Sequence, residues 1–319
     1  MNTYLSIIPR VIPVFVLLAI GYFFKVKQFI DQDTTAELKK IIINFSLPAV
    51  LFTSFLTVSF RIEFLLIILL VFLVNLLMLF IGKKVSILNE INDPHFSLLF
   101  TGFEVGMLGI PLFGAIYGIG NIKYIGVIDI GQEFYVWFVL FAILLSLQPS
   151  GKKRGFNSLL KSFVSSPIII AIFLGIILNS TGVAAVFSGN FIFSAIINSL
   201  ELLGSITIPL FLIIIGYEIN FKKGKLSLPL KIIFTRLIIL IPLALLLAKW
   251  IFINMLNLNI MYSLALISVF ILPPPFIIPL FINEEEREGK TYIYNTLSLS
   301  TIISIAVFVI IAVISRLYL

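Results

Sequence analysis

Long apolar runs recur from one end of this chain to the other, and they decide its solvent. Ten predominantly apolar stretches lie at approximately 5–24, 34–56, 62–82, 95–118, 121–147, 160–180, 191–217, 230–253, 260–282 and 291–316. Each reaches the ~20 residues that a helix needs to cross the hydrocarbon core of a bilayer. The wealth of Ile, Val and Phe would suit strands in water, but a membrane strand needs only about 10 alternating residues, so run length selects helices. Of the 319 residues, 60% are apolar and only 12% charged, with a mean hydropathy of +1.18, too little charge to cover a soluble protein of this size. The chain reads as an all-α polytopic membrane protein of ten transmembrane helices, with the lipid bilayer as its first partner. The N-terminal run has no small-residue cleavage site behind it and reads as a first span, not a removed signal peptide.

Charge asymmetry orients the spans. With the N-terminus outside, 17 of the 22 Lys and Arg residues, Lys161 and Arg236 among them, fall at cytoplasmic loops or helix ends, and 5 on the opposite side. Ten spans then return the C-terminus to the outside of the plasma membrane. These solvated loops explain the net charge of +7 without nucleic acid as a partner. The chain has no cysteine and one histidine, His95, which excludes disulfides, thiol nucleophiles and Cys/His metal sites. It has no nucleophile–base constellation, so an enzyme is not expected, and no P-loop. "GIG" at 118–120 lacks the context of a nucleotide loop, "NEEEREGK" at 283–290 reads as a solvated turn, and His95 after "NDP" reads as a cap-region residue.

The chain also repeats itself. The charged connector "LQPSGKKRGFNSLLKS" divides it into residues 1–148 and 149–319, five spans each, and an odd number of spans forces the halves into opposite orientation. "NFSLPAVLF" in the second span is echoed by "SITIPLFLI" in the seventh, with Pro48 and Pro209 161 residues apart. Arg61 and Lys222 repeat that spacing, and Pro111 precedes Pro273–Pro275 by 162 to 164. Inverted internal similarity of this kind is a signature of secondary transporters.

The fourth span carries "EVGMLGIPLFGAIYG" and the ninth "LPPPF". A proline removes an amide donor and clashes with the preceding turn, and freed carbonyls survive in a membrane only inside protein or against a watery cavity. We therefore expect both spans to break, near Pro111 and near Pro273, Pro274 and Pro275, and to cross at mid-membrane. Gly102, Gly106 and Gly109 would let a second backbone approach, and the amides at the half-helix N-termini would hold an anion without a permanent charge. Glu104 costs at least about 2.5 kcal/mol if it faces lipid, so it should point inward. There it is a proton or cation site, a substrate contact, or a protonated side chain that only braces the bundle. Asp129 and Glu133 in "GVIDIGQEFYVW" share one helical face and suit ion coupling. Alternatively they line an aqueous vestibule or pair with Arg236 or Lys161. Asn44, Asn75, Glu201, Ser205, Thr207 and Glu218 are weaker intramembrane polar candidates, Asn44 being retained with the substrate-binding set.

These stretches, together with "SSPIIIAIFLGIIL", "IPLFLIIIGYEI" and "YIYNTLSLSTIISI", resemble the auxin efflux carrier family, the PIN-like membrane transport proteins, over nearly the whole chain. The resemblance implies a five-plus-five inverted repeat with a scaffold of spans 1, 2, 6 and 7 and a moving transport domain of spans 3–5 and 8–10. It further implies substrate at the crossing of spans 4 and 9, elevator-like alternating access, and a homodimer. Family substrates are small organic anions. Glu104 stands where many members have asparagine, and three prolines stand where one is usual. The extra carboxylate favours proton or sodium coupling, or a zwitterionic or cationic solute. The function expected is secondary active transport of a small organic solute, a carboxylate before any other, with H+ or Na+ as coupling ion and no other cofactor. The competing class is a membrane solute sensor that uses the same pocket.

Overall fold

A computed structural model describes residues 8–58, 61–147, 160–161, 163–187, 189–219, 225–282 and 290–318. Most of the central connector and residues 283–289 of the "NEEEREGK" turn lie outside the described residues. Within them every regular element is helical. We label the main helices α1 (Ile8–Val26), α2 (Gln32–Phe55), α3 (Glu63–Leu88), α4 (Val105–Tyr117), α5 (Ile119–Ser146), α6 (Pro167–Ser180), α7 (Phe191–Glu218), α8 (Ser227–Met255), α9 (Ile260–Phe270) and α10 (Thr291–Tyr318). Six of them, α2, α3, α5, α7, α8 and α10, are long and apolar enough to cross a membrane, and the other four are shorter apolar helices. The chain is a polytopic membrane protein. Its polarity fits that solvent: Leu65, Leu69, Leu73 and Phe80 are exposed on α3, whereas Asn75, Thr101, Gln132 and Arg236 are buried.

The prolines behave differently from expectation. Neither Pro48 nor Pro111 breaks its helix. In α2 and α4 a π-helical turn, Ile42–Ser46 or Val105–Gly109, ends just before the proline. There the ladder changes register, with the amide of Leu47 bonded to the Ile42 carbonyl and that of Ile110 to the Val105 carbonyl. The wide turn absorbs the proline's missing donor at the point where α-helical pairing resumes. The break in the fourth segment therefore lies earlier, at Thr101–Glu104, after the short helix Pro94–Leu98. Gly102, at φ +72°, makes it possible, and a Cβ there would also sit 2.4 Å from Pro275. In the ninth segment α9 ends at Phe270. The triple proline does interrupt it, and the chain then makes only a short 3-10 turn, Ile278–Phe281, rather than a long half-helix.

Small residues bring helices into backbone contact. α1 lies along α7, where a Cβ on Gly21 would fall 1.9 Å from the Ile213 carbonyl oxygen and one on Gly216 2.0 Å from that of Leu18. α6 and α7 both pack on α2, α3 packs along α5, and α8 along α10, with α9 between α5 and α8. Ser46 on α2 and Thr207 on α7 share a buried hydroxyl–hydroxyl contact.

Three buried side chains brace the break of the fourth segment, and one of them, Arg236, ties it to the ninth. Asn75 of α3 accepts the Gly102 amide at 2.8 Å and donates to Gln132, whose own amide donates to the Phe103 carbonyl at 2.9 Å. Arg236 of α8 donates to the carbonyls of Leu99 (2.9 Å) and Gly102 (3.0 Å) in the fourth segment and of Leu272 (3.2 Å) in the ninth. Its guanidinium lies over the Phe103 ring, itself stacked on Phe270. The charge count put Arg236 at a cytoplasmic helix end. It is instead 3% exposed inside the bundle, because carbonyls stranded by two broken helices need a fork of donors. Outside the spans, Asp93 caps the Pro94–Leu98 helix at the His95 amide and accepts the Tyr292 hydroxyl at 2.6 Å, joining the fourth segment to α10. Burial works against its charge. The hydrogen bonds from His95 and Tyr292, aided by the Lys290 charge, outweigh burial and hold its pKa at about 2.

For purified protein in detergent two outcomes are expected. Arg236→Met should lower the melting temperature sharply, at about 1–3 kcal/mol for each carbonyl left unpaired, and Arg236→Lys should recover only part of the loss because one ammonium lacks the fork. The Asp93 contribution should be fully present above the ordinary carboxylate range near pH 4 and be lost as pH falls toward 2. Asp93→Asn should flatten that part of the stability–pH curve.

Candidate functional site

At the break of the fourth segment the chain meets the ninth directly. The Glu104 amide donates to the Pro273 carbonyl at 2.9 Å, and the Phe276 amide donates to Glu104 Oε2 at 2.7 Å. The other carboxylate oxygen, Oε1, accepts the Met107 amide at 3.3 Å, so Glu104 is also the N-cap of α4. The side chain points inward, as expected, and is 9% exposed. Its carboxylate thus joins two backbone amides from two interrupted segments, which is the arrangement anticipated for a bound anion. Gly109, like Gly102, is a close-approach glycine, since a Cβ there would fall 2.7 Å from the Leu272 side chain, whereas one on Gly106 would meet only Leu47 at 3.9 Å. Pro111 sits in the first turn of the α-helical part of α4, and Pro273, Pro274 and Pro275 are buried at the crossing.

Asp129 and Glu133 lie beside this crossing on α5. Asp129 is buried, its Oδ1 has no hydrogen-bond partner among the described residues, and it lies within electrostatic reach of both Glu133 and Glu104. Glu133 accepts the Trp137 indole N–H at 2.8 Å. Neither carboxylate makes an ion pair with Arg236 or Lys161 among the described residues, and the Arg236 donors are directed at carbonyls. The same residues contain no group of three or more His, Cys, Asp or Glu side chains placed to hold a metal ion. Asn44 stands apart from this set. It is exposed on α2 and donates to the Lys40 carbonyl of its own helix.

A cavity of about 560 Å³ opens between α1, α2 and α7 on one side and α10 with the segment after α9 on the other. Phe276, whose amide Glu104 holds, is part of its wall, and the Lys39–Glu218 ion pair crosses from α2 to α7 beside it. Tyr294, Ser298 and Thr301, none of them a candidate from sequence, line the cavity from α10. Their spacing of four and then three residues, a polar stripe on one face of an otherwise apolar span, was the available signal.

The arrangement offers two crossing interrupted helices, backbone donors holding a carboxylate between them, the buried Asp129 and half-buried Glu133 alongside, and an open cavity abutting them. The profile of the membrane transport protein family matches residues 6–313. The chain is also similar, at 28% identity over 225 residues, to a protein of Methanocaldococcus jannaschii named as an uncharacterized transporter, with 67% of this chain and 70% of that one covered. This chain belongs to the membrane transport protein family, the auxin efflux carrier-like group that its motifs resemble.

Proposed function

We propose that this protein is a secondary active transporter that moves a small organic solute, a carboxylate by preference, by elevator-like alternating access coupled to a proton or sodium gradient. The observation that carries the reading is Glu104 bound between the amides of Met107 and Phe276 where the two interrupted segments meet, next to the cavity. Such a crossing supplies an anion site without a fixed positive charge, and a buried acid there supplies a group that an ion gradient can act on.

An inverted repeat of five plus five helices accounts for several contacts at once. Exchanging the first five helices for the second five turns the α1–α7 pair into α6–α2 and the α3–α5 pair into α8–α10, and all four pairs are packed. Ser46 and Thr207, which touch, are 161 residues apart, and so are Asn75 and Arg236, which support the same break from opposite sides. In this reading α1, α2, α6 and α7 form the scaffold and the remaining helices the moving domain, with the cavity at the boundary between them. The two termini lie outside the plasma membrane, and pairing of scaffolds makes a homodimer.

Reconstituted protein should take up labelled carboxylates when a proton or sodium gradient is imposed, and Glu104→Gln should abolish the ion dependence of that flux while leaving the protein folded. Solute binding without flux would identify a sensor instead. The natural absence of cysteine permits a second test. Tyr217→Cys combined with Ser298→Cys, on opposite walls of the cavity, should lose most transport on treatment with a bifunctional thiol reagent, whereas each single variant should keep it. Full flux in the cross-linked double variant would rule out relative movement of α7 and α10.

A further inference from the structure

The donors that would hold a solute carboxylate are already occupied. Glu104 takes the Met107 amide on one oxygen and the Phe276 amide on the other, and its own amide is spent on Pro273. The side-chain donors of Asn75, Gln132 and Arg236 are engaged too. The Asn75 and Gln132 amides bond each other and the fourth-segment backbone, and Arg236 bonds three carbonyls. A second carboxylate therefore finds the Met107 and Phe276 amides taken while Glu104 keeps its place, and it also meets Asp129, whose buried Oδ1 is unpartnered among the described residues. The charged groups within reach of Glu104 are Glu133 and Asp129 on α5 and Lys39 on α2. The acids outnumber the base, and Lys39 is already paired with Glu218.

We infer that the Met107 and Phe276 amides form a carboxylate receptacle for which Glu104 is a tethered competitor, so that a solute carboxylate binds there only when Glu104 has taken up one proton and swung aside. A neutral carboxylic acid accepts hydrogen bonds far more weakly than a carboxylate, so one proton loosens its hold on both amides and lets an ionised carboxylate displace it. Packing beside the receptacle is light at Gly106, where an added Cβ would meet only Leu47, at 3.9 Å. Proton and solute would then load as a pair. This consequence for transport rests on the carrier reading, but the receptacle itself does not.

The test uses acetate as the probe and melting temperature as the readout, at constant ionic strength against chloride. Glu104→Ala and Glu104→Ser vacate the receptacle, and each should be less stable than the natural protein yet gain a saturable, acetate-specific upward shift near neutral pH. The natural protein should show no shift at pH 8 and should acquire one near pH 5.5, where acetate is still mostly ionised. That arm decides the matter if the truncated variants do not fold. A pH-independent acetate effect on the natural protein, or no acetate effect in either arm, would overturn the inference. An acetate shift accompanied by no carboxylate flux from any variant would keep the receptacle and defeat the carrier reading instead.

Discussion

A peptide group cannot be left unpaired in hydrocarbon, and the whole centre of this protein is arranged around that constraint. Two helices stop in mid-bundle, and each exposes donors on one side of its break and acceptors on the other. Arg236 collects acceptors from both segments with one guanidinium, Asn75 and Gln132 serve Gly102 and Phe103, and Glu104 collects donors from both. Positive charge faces carbonyls and negative charge faces amides, as the dipoles of the interrupted helices demand. Without that set the breaks would carry a cost of several unpaired groups, and continuous helices would win.

The same solution creates the chemistry. A carboxylate placed to satisfy two amides is also the group best placed to compete with, or stand in for, an anionic solute at that spot. Asp129, buried with an oxygen left unpartnered, adds a further acid beside the crossing, so that carboxyl groups there share fewer donors than they could use. Close backbone packing surrounds the crossing. Glycines at 21, 175 and 216 bring α1 against α7 and α6 against α2, while Gly131 does the same for α5 against α3. The cavity lies between α1, α2 and α7 on one side and α10 with the segment after α9 on the other.

Much of this architecture is legible in the residues alone. Run length and composition select helices in a membrane, because no other structure pairs every peptide group over some twenty apolar residues. The recurrence near 161 residues joins Pro48 to Pro209, and the same interval links Ser46 to Thr207, which are in contact. Glu104 reads as an inward-facing acid because lipid would reject it. The proline signal was misleading in detail. A proline can be absorbed by a π-turn one residue upstream, as in α2 and α4, and the pairing partners that permit this are local backbone choices that residue type does not specify.

By itself, then, the sequence determined the solvent of the chain, the number and approximate position of its apolar runs, and the presence of a glycine-rich and acidic stretch in the fourth. Those features rest on composition and period, which act over short distances along the chain. Only the tertiary structure decided where the fourth segment breaks, that Arg236 lies in the bundle and not at its edge, that Asn44 is exposed and bonds its own helix, and that the Glu104 carboxylate is shared with Phe276 across 172 residues of sequence. Each depends on which donors and acceptors reach one another once ten helices are packed, and that geometry is set by contacts between distant segments.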